Sequence, residues 1–150
     1  MARFNKIFAG PYTEATPQVQ ERVCTAGILP GTALIESGAN FAQAGANALT
    51  KVYVAQDNYL ALKGVDDAWP ANDRIIGMEL IDDQFFNVRI ATGTNVVRGV
   101  TQLTTAASGK FAVATTGQRV IAIAEETYSN SSGSDQLVRV RVARNQLAAA

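Results

Sequence analysis

Three adjacent pairs of acids, Asp66-Asp67, Asp82-Asp83 and Glu125-Glu126, are the side chains of this sequence whose type and spacing come nearest to chemistry. Two carboxylates held about 5–10 Å apart across a sugar can cleave a glycosidic bond. Neighbours on a strand point to opposite faces, so an adjacent pair does not converge on one substrate. Solvation of turns and strand ends is the use these pairs fit. Asp66, Asp67 and Asp73 also offer oxygen ligands of the kind calcium takes, but Asp-Asp-Ala-Trp-Pro-Ala-Asn-Asp lacks the spacing of a calcium loop. Arg139, Arg141 and Arg144 form a basic stripe that can meet phosphate. Edge strands carry such charges to stay soluble, and with Glu125 and Glu126 on the expected partner strand, cross-strand ion pairing is the stronger expectation.

Other routes to catalysis are closed by composition. The chain has no histidine, which removes imidazole zinc sites and the usual general base of Ser and Cys hydrolases. Cys24 is alone, so no intrachain disulfide forms. No Gly-rich phosphate loop is present, and nothing places a nucleophile beside a base. Asn130-Ser131-Ser132 fits a glycosylation sequon, but the start of the chain lacks the apolar stretch of a secretory signal. Thirteen basic and 13 acidic residues cancel, where a phosphate-binding protein usually carries a basic surplus. The expectation is therefore a non-enzymatic protein without cofactor or metal, binding neither nucleic acid nor membrane and made in a cytoplasm. A neutral chain also tends to associate.

The aromatics are the remaining candidates. Tyr53, Tyr59 and Trp69 stand near polar loops, where they can seal the end of a barrel, form a protein interface or make a platform for sugar. Phe4, Ile7, Phe8 and Tyr12 lie in a segment, residues 1–26, that has no sustained period of 2 or 3.6. Pro17 behind Thr16 suits a helix start, but the weak pattern that follows favours an extended arm. Aromatic residues on such an arm are costly to leave in water. It is expected to pack on its own domain, a neighbouring subunit or a larger partner.

These candidates must be positioned by residues 27–150, where turn and strand signals recur at short intervals. Leu29-Pro30-Gly31-Thr32 fits a type II turn. Ala33–Glu36, Lys51–Ala55, Arg74–Ile81, Phe85–Ala91, Val100–Thr104 and Phe111–Thr115 read as strands, with a hairpin turn at Asp82-Asp83-Gln84 and a small-residue loop at 41–47. One helical turn, capped by Asp57 and closed by Gly64, is expected in between. Arg119–Thr127 and Gln136–Arg144 form the last pair, joined by an exposed Ser-rich turn. About eight short strands with almost no amphipathic helix predict an all-β domain, a single small antiparallel β-barrel or β-sandwich.

The stretches ARFNKIFAG, LPGTALIESG with Phe41-Ala42, KVYVAQDNYL, GVDDAWPAND, FFNVRIATGTNV and VIAIAEETYSNSSGSDQLVRVRVA span nearly the whole chain. In these stretches it resembles the capsid cement, or head decoration, proteins of tailed bacteriophages. The resemblance implies a virion structural protein that binds the outside of the expanded icosahedral shell. Such a protein works as a trimer or dimer and clamps major capsid protein subunits against the pressure of packaged DNA. It implies contact residues rather than catalytic ones: Phe4, Ile7, Phe8, Tyr12, Tyr53, Tyr59 and Trp69 are the candidates for capsid or protomer contact. A carbohydrate- or host-receptor-binding β-module on the virion surface is the alternative expectation.

Overall fold

The computed structural model describes residues 18–143, and their regular secondary structure is almost entirely β. The strands are β1 (Val19–Val23), β2 (Ala33–Ser37), β3 (Asn40–Gln43), β4 (Val52–Ala55), β5 (Arg74–Glu79) and β6 (Phe85–Ile90). They continue with β7 (Asn95–Val96), β8 (Gln102–Thr105), β9 (Phe111–Val113), β10 (Ala122–Ala124), β11 (Tyr128–Ser129) and β12 (Gln136–Val142). A five-stranded sheet runs β1-β5-β4-β2-β3, a closed barrel runs β10-β12-β6-β9-β8, and β11 pairs with β7. All these pairings are antiparallel except β6 with β9, which is parallel at Ile90↔Phe111.

Side-chain alternation builds the barrel. On β12, Val138, Val140 and Val142 are buried, while Arg139 is exposed. Across the ladder Val140 faces Phe86 and Val138 faces Val88, so the apolar halves of both strands share one side. Ala122 and Ala124 stand opposite Val142 and Val140. Small side chains on one strand make room for larger ones on its neighbours inside so narrow a barrel.

All four residues of β4 are buried. Val52 and Val54 join Ala33, Leu80 and the barrel's Phe86, Val88, Ile90, Leu103 and Phe111 in one cluster, so sheet and barrel share a core. Tyr53 and Ala55 join Cys24, Ile28, Leu34, Phe41, Trp69 and Ile75 in a second cluster on the other face. There the sheet curls until its edges touch, through a parallel bridge between Cys24 and Phe41. The Phe41 ring lies over Gly77 on β5, where an added Cβ would come within 2.8 Å of it.

One buried charge joins the two halves. Alternation puts Arg89 on the outside of the barrel with Phe85 and Asn87, yet its side chain is only 5% exposed because two loops of the sheet cover it. Its Nε donates to Pro30 O at 2.8 Å, and its terminal nitrogen donates to Val65 O at 2.5 Å and Asp66 Oδ1 at 3.1 Å. Beside it the backbone of Arg89 donates to Gly31 O. Gly31 sits at φ +83°, and a Cβ there would fall 2.6 Å from the Leu137 side chain of β12. Arg119 repeats the device, donating to Ala48 O and Thr50 O from the barrel side.

Several expectations change. The turn at 82–84 is real, but β5 and β6 are not a hairpin: β5 pairs with β1 and β4, and β6 with β12 and β9. Asp83, at φ +67°, donates its backbone N–H to Val142 O and sends the chain from sheet to barrel. Asn40–Gln43, within the expected loop, forms β3 against β2. Residues 19–23, counted with the arm, form β1, hydrogen-bonded to β5. The cap of the helical turn is Asn58 and its end is Leu62, while Gly64 N–H goes to Asp67 Oδ2. The connection between β10 and β12 is not a bare exposed turn. It holds β11 and the buried Asn130, whose side chain binds Ser134 O and Ser132, and whose backbone exchanges bonds with Gly93 and Thr94.

Removing a buried cation's side chain strands its acceptors, which is among the larger single-residue losses. Arg89→Ala should therefore lower unfolding free energy by roughly 3 kcal/mol in urea titration. Asp66→Asn should change it by no more than about 0.5 kcal/mol, because that carboxylate is 90% exposed. Equal losses from the two would show that the carbonyls do not hold the joint.

Candidate functional site

Between β4 and β5 the chain makes a single 3-10 turn at Tyr59–Ala61 that is organised by one asparagine. Asn58 O accepts the N–H groups of Ala61 and Lys63, Asn58 Oδ1 accepts Ala61 N–H, and Leu62 N–H returns to Tyr59 O. This polar hub turns the large side chains outward. Tyr59 is 51% exposed, Leu60 74% and Leu62 94%. Leu62 also lies at φ 55°, ψ 33°, the left-handed region, where a bulky side chain costs on the order of 1 kcal/mol. A leucine held in water at a strained position has no role in the fold's own packing. Grouped apolar exposure of this kind makes the turn a candidate contact surface.

The surface extends along the sheet edge. Val19 and Val65 are likewise exposed, and a cleft of about 350 Å³ opens between Tyr59-Leu60 and the Val19–Met78 pair of β1 and β5. Tyr59 is thus the one expected contact residue that the described structure leaves at the surface. Phe4, Ile7, Phe8 and Tyr12 lie outside the described residues. Leu60, Leu62 and Val65 were not among the candidates. Their signal was present in Asn-Tyr-Leu-Ala-Leu-Lys-Gly, apolar residues inside a turn too short to bury them.

Tyr53 and Trp69 are core residues, which corrects their assignment as contacts. Tyr53 is fully buried, its ring 5.1 Å from that of Phe41, and its hydroxyl donates to Glu36 Oε1 at 2.5 Å. Trp69 is 5% exposed, pairs with Ile28 through the backbone and donates its indole N–H to Gln56 O at 2.7 Å. Both rings fill the core of the five-stranded sheet rather than the end of the barrel, and with both buried no sugar platform forms from Trp69, Tyr53 and Tyr59.

The acids serve structural bonds. Asp66 meets Arg89, and Asp67 accepts Gly64 N–H. Glu125 pairs with Arg141 at 3.1 Å and with Arg98 at 3.6 Å, so the cross-strand ion pair forms. Glu126 instead accepts the backbone N–H of Arg139, and Arg144 lies outside the described residues. Among the described residues no three Cys, Asp or Glu gather as a metal site, and no helix is long and apolar enough to cross a membrane.

Two outcomes check this account. Leu62→Asn should raise unfolding free energy by about 0.5–1 kcal/mol, since Asn tolerates the left-handed conformation and no packing is lost. A loss of stability would mean that Leu62 packs on the fold. Burial, followed by the hydrogen bond to Glu36, pushes the Tyr53 phenol above its usual 10.0. The fold therefore favours the neutral phenol, a contribution complete below about pH 10 and lost as pH rises through the higher folded value. Tyr53→Phe should be less sensitive than the parent chain to denaturation between about pH 10 and 12. Equal alkaline slopes would count against it.

No protein-family model matches the chain, and neither does any curated protein. Among solved structures the chain is similar to the N base of head fiber gp8.5 in bacteriophage phi29, with a TM-score of 0.56 and 13% identity. The match covers 89% of this chain and 100% of that one, so the likeness is one of fold over nearly the whole length.

Proposed function

We propose that the chain is a structural protein of a bacteriophage virion that binds the outside of the icosahedral head and reinforces contacts between major capsid protein subunits. The observation that carries this reading is the likeness of its fold, over 89% of the chain at a TM-score of 0.56, to the N base of a phage head fiber. The exposed Tyr59-Leu60-Leu62 turn supports it, because it supplies apolar area at a place the fold does not use. The employment of Asp66, Asp67, Glu125 and Glu126 in structural bonds supports a role without catalysis.

The mechanism is linkage. A protein that binds the assembled shell and not its separated subunits stabilises the shell, by roughly 2.7 kcal/mol per site at a hundredfold excess over its dissociation constant. A standard contact buries roughly 800 Å² per partner, so a small domain can touch two subunits at once. The second contact is then intramolecular and adds avidity without new chemistry. Self-association into a dimer or trimer would multiply those contacts, and the neutral charge is compatible with it.

Purified protein mixed with expanded empty shells should cosediment with them and raise their rupture temperature. Leu60→Ser combined with Leu62→Asn should weaken retention by at least about tenfold, the loss of a small apolar hot spot. Absence of binding, or binding without a rise in rupture temperature, would sink the proposal.

A further inference from the structure

We propose that the part of the outer face of β6 and β12 around Phe85, Asn87 and Arg139, which the loops covering Arg89 leave open, is a saccharide-binding surface, a property that does not depend on the capsid reading. The first argument is connectivity. Counted from β10, the barrel strands run β10, β12, β6, β8, β9. The first pairs with the second, the second with the third, the third in parallel with the fifth, the fifth with the fourth and the fourth with the first. That is the pairing scheme of the five-stranded oligonucleotide/oligosaccharide-binding barrel, with the chain opened between second and third strands and rejoined from fifth to first. In that architecture the ligand lies across the second and third strands, beside the loop joining the first and second. Here those strands are β12 and β6, and the loop begins at Glu125.

The second argument is what stands there. A cleft of about 510 Å³ is lined by Phe85, Phe86, Asn87, Arg98, Glu125 and Arg139. Phe85 turns outward and is 61% exposed, although its neighbour Phe86 fills the barrel. Asn87 and Arg139 are cross-strand partners, so an amide and a guanidinium stand side by side next to that ring. Glu125 comes from the expected loop, its carboxylate held by Arg141 and Arg98. Fold analogy gives the place, and the residues give the chemistry.

An aromatic ring beside planar donors and acceptors suits a sugar, whose C–H face stacks while its vicinal hydroxyls bind amide, carboxylate and guanidinium. A nucleic acid fits less well. Its phosphates would meet the Glu125 carboxylate, and the chain has no basic surplus, with 13 charges of each sign.

The test uses the full chain on a glycan array, followed by calorimetric titration with the best-bound oligosaccharide and, in parallel, with single-stranded dT12. The expected result is saccharide binding that Phe85→Ala and Arg139→Ala each weaken by at least about tenfold, as loss of a stacking or planar contact does. Tyr59→Ala should leave it unchanged. Both weakened variants alter exposed positions, so their unfolding midpoints should match the parent chain, and their binding to empty shells should persist. No saccharide bound, saccharide binding indifferent to both substitutions, or tighter, salt-sensitive binding of dT12 would each overturn the assignment.

Discussion

Arg89 carries a charge where water scarcely reaches it, on the outer surface of a barrel strand that two loops of the neighbouring sheet have covered. A buried guanidinium is tolerated only when its N–H groups find oxygen, and here Pro30 O, Val65 O and Asp66 supply it. The carboxylate is the lesser partner because its side chain stands in water. The two carbonyls are the decisive ones, and they can reach Arg89 only if the loops at 30–31 and 65–66 lie against the barrel. The relative placement of sheet and barrel follows from that requirement.

Close approaches elsewhere follow the same logic. Gly31 brings its loop onto Leu137 at a distance that leaves no room for a side chain. At the other joint Gly109, at φ +67°, lies where a Cβ would be 2.3 Å from Thr32 and 2.5 Å from Ala33 O. Between these joints Val52, Val54 and Leu80 pack with Phe86, Val88 and Ile90, so the two halves share one core. The backbone of the Tyr59-Leu60-Leu62 turn is tied by the hydrogen bonds to Asn58, which lowers the ordering cost of binding there.

Much of the all-β character was legible because alternation reports which face of a strand is buried. Val138, Val140 and Val142 against Arg139 and Arg141 could be read directly, as could the pairing of this strand with Ala122–Ala124. Alternation does not report partners. Phe85–Ile90 follows Arg74–Glu79 after a short turn, and nothing local distinguishes a hairpin from a chain that leaves one sheet for another. Nothing local distinguishes Arg89 from a solvent-facing strand arginine, since its acceptors lie 59 and 24 residues away. Trp69 and Tyr53 stood near polar loops in sequence, but long-range packing took them inside. Asn130 sat in a Ser-rich run that promises exposure, and only the meeting of β11 with β7 buries it. The exposed apolar turn was half visible, as Tyr59, while its leucines read as part of a helical turn.

The central claim is that this β body meets a capsid shell through the turn that holds Leu62 in water. A photo-crosslinking amino acid at position 62, on protein bound to cognate expanded shells, tests it most directly when compared with the same group at the exposed position 132. The account predicts a covalent product with the major capsid protein from position 62 and none from position 132. No product from position 62, or equal products from both, would contradict it.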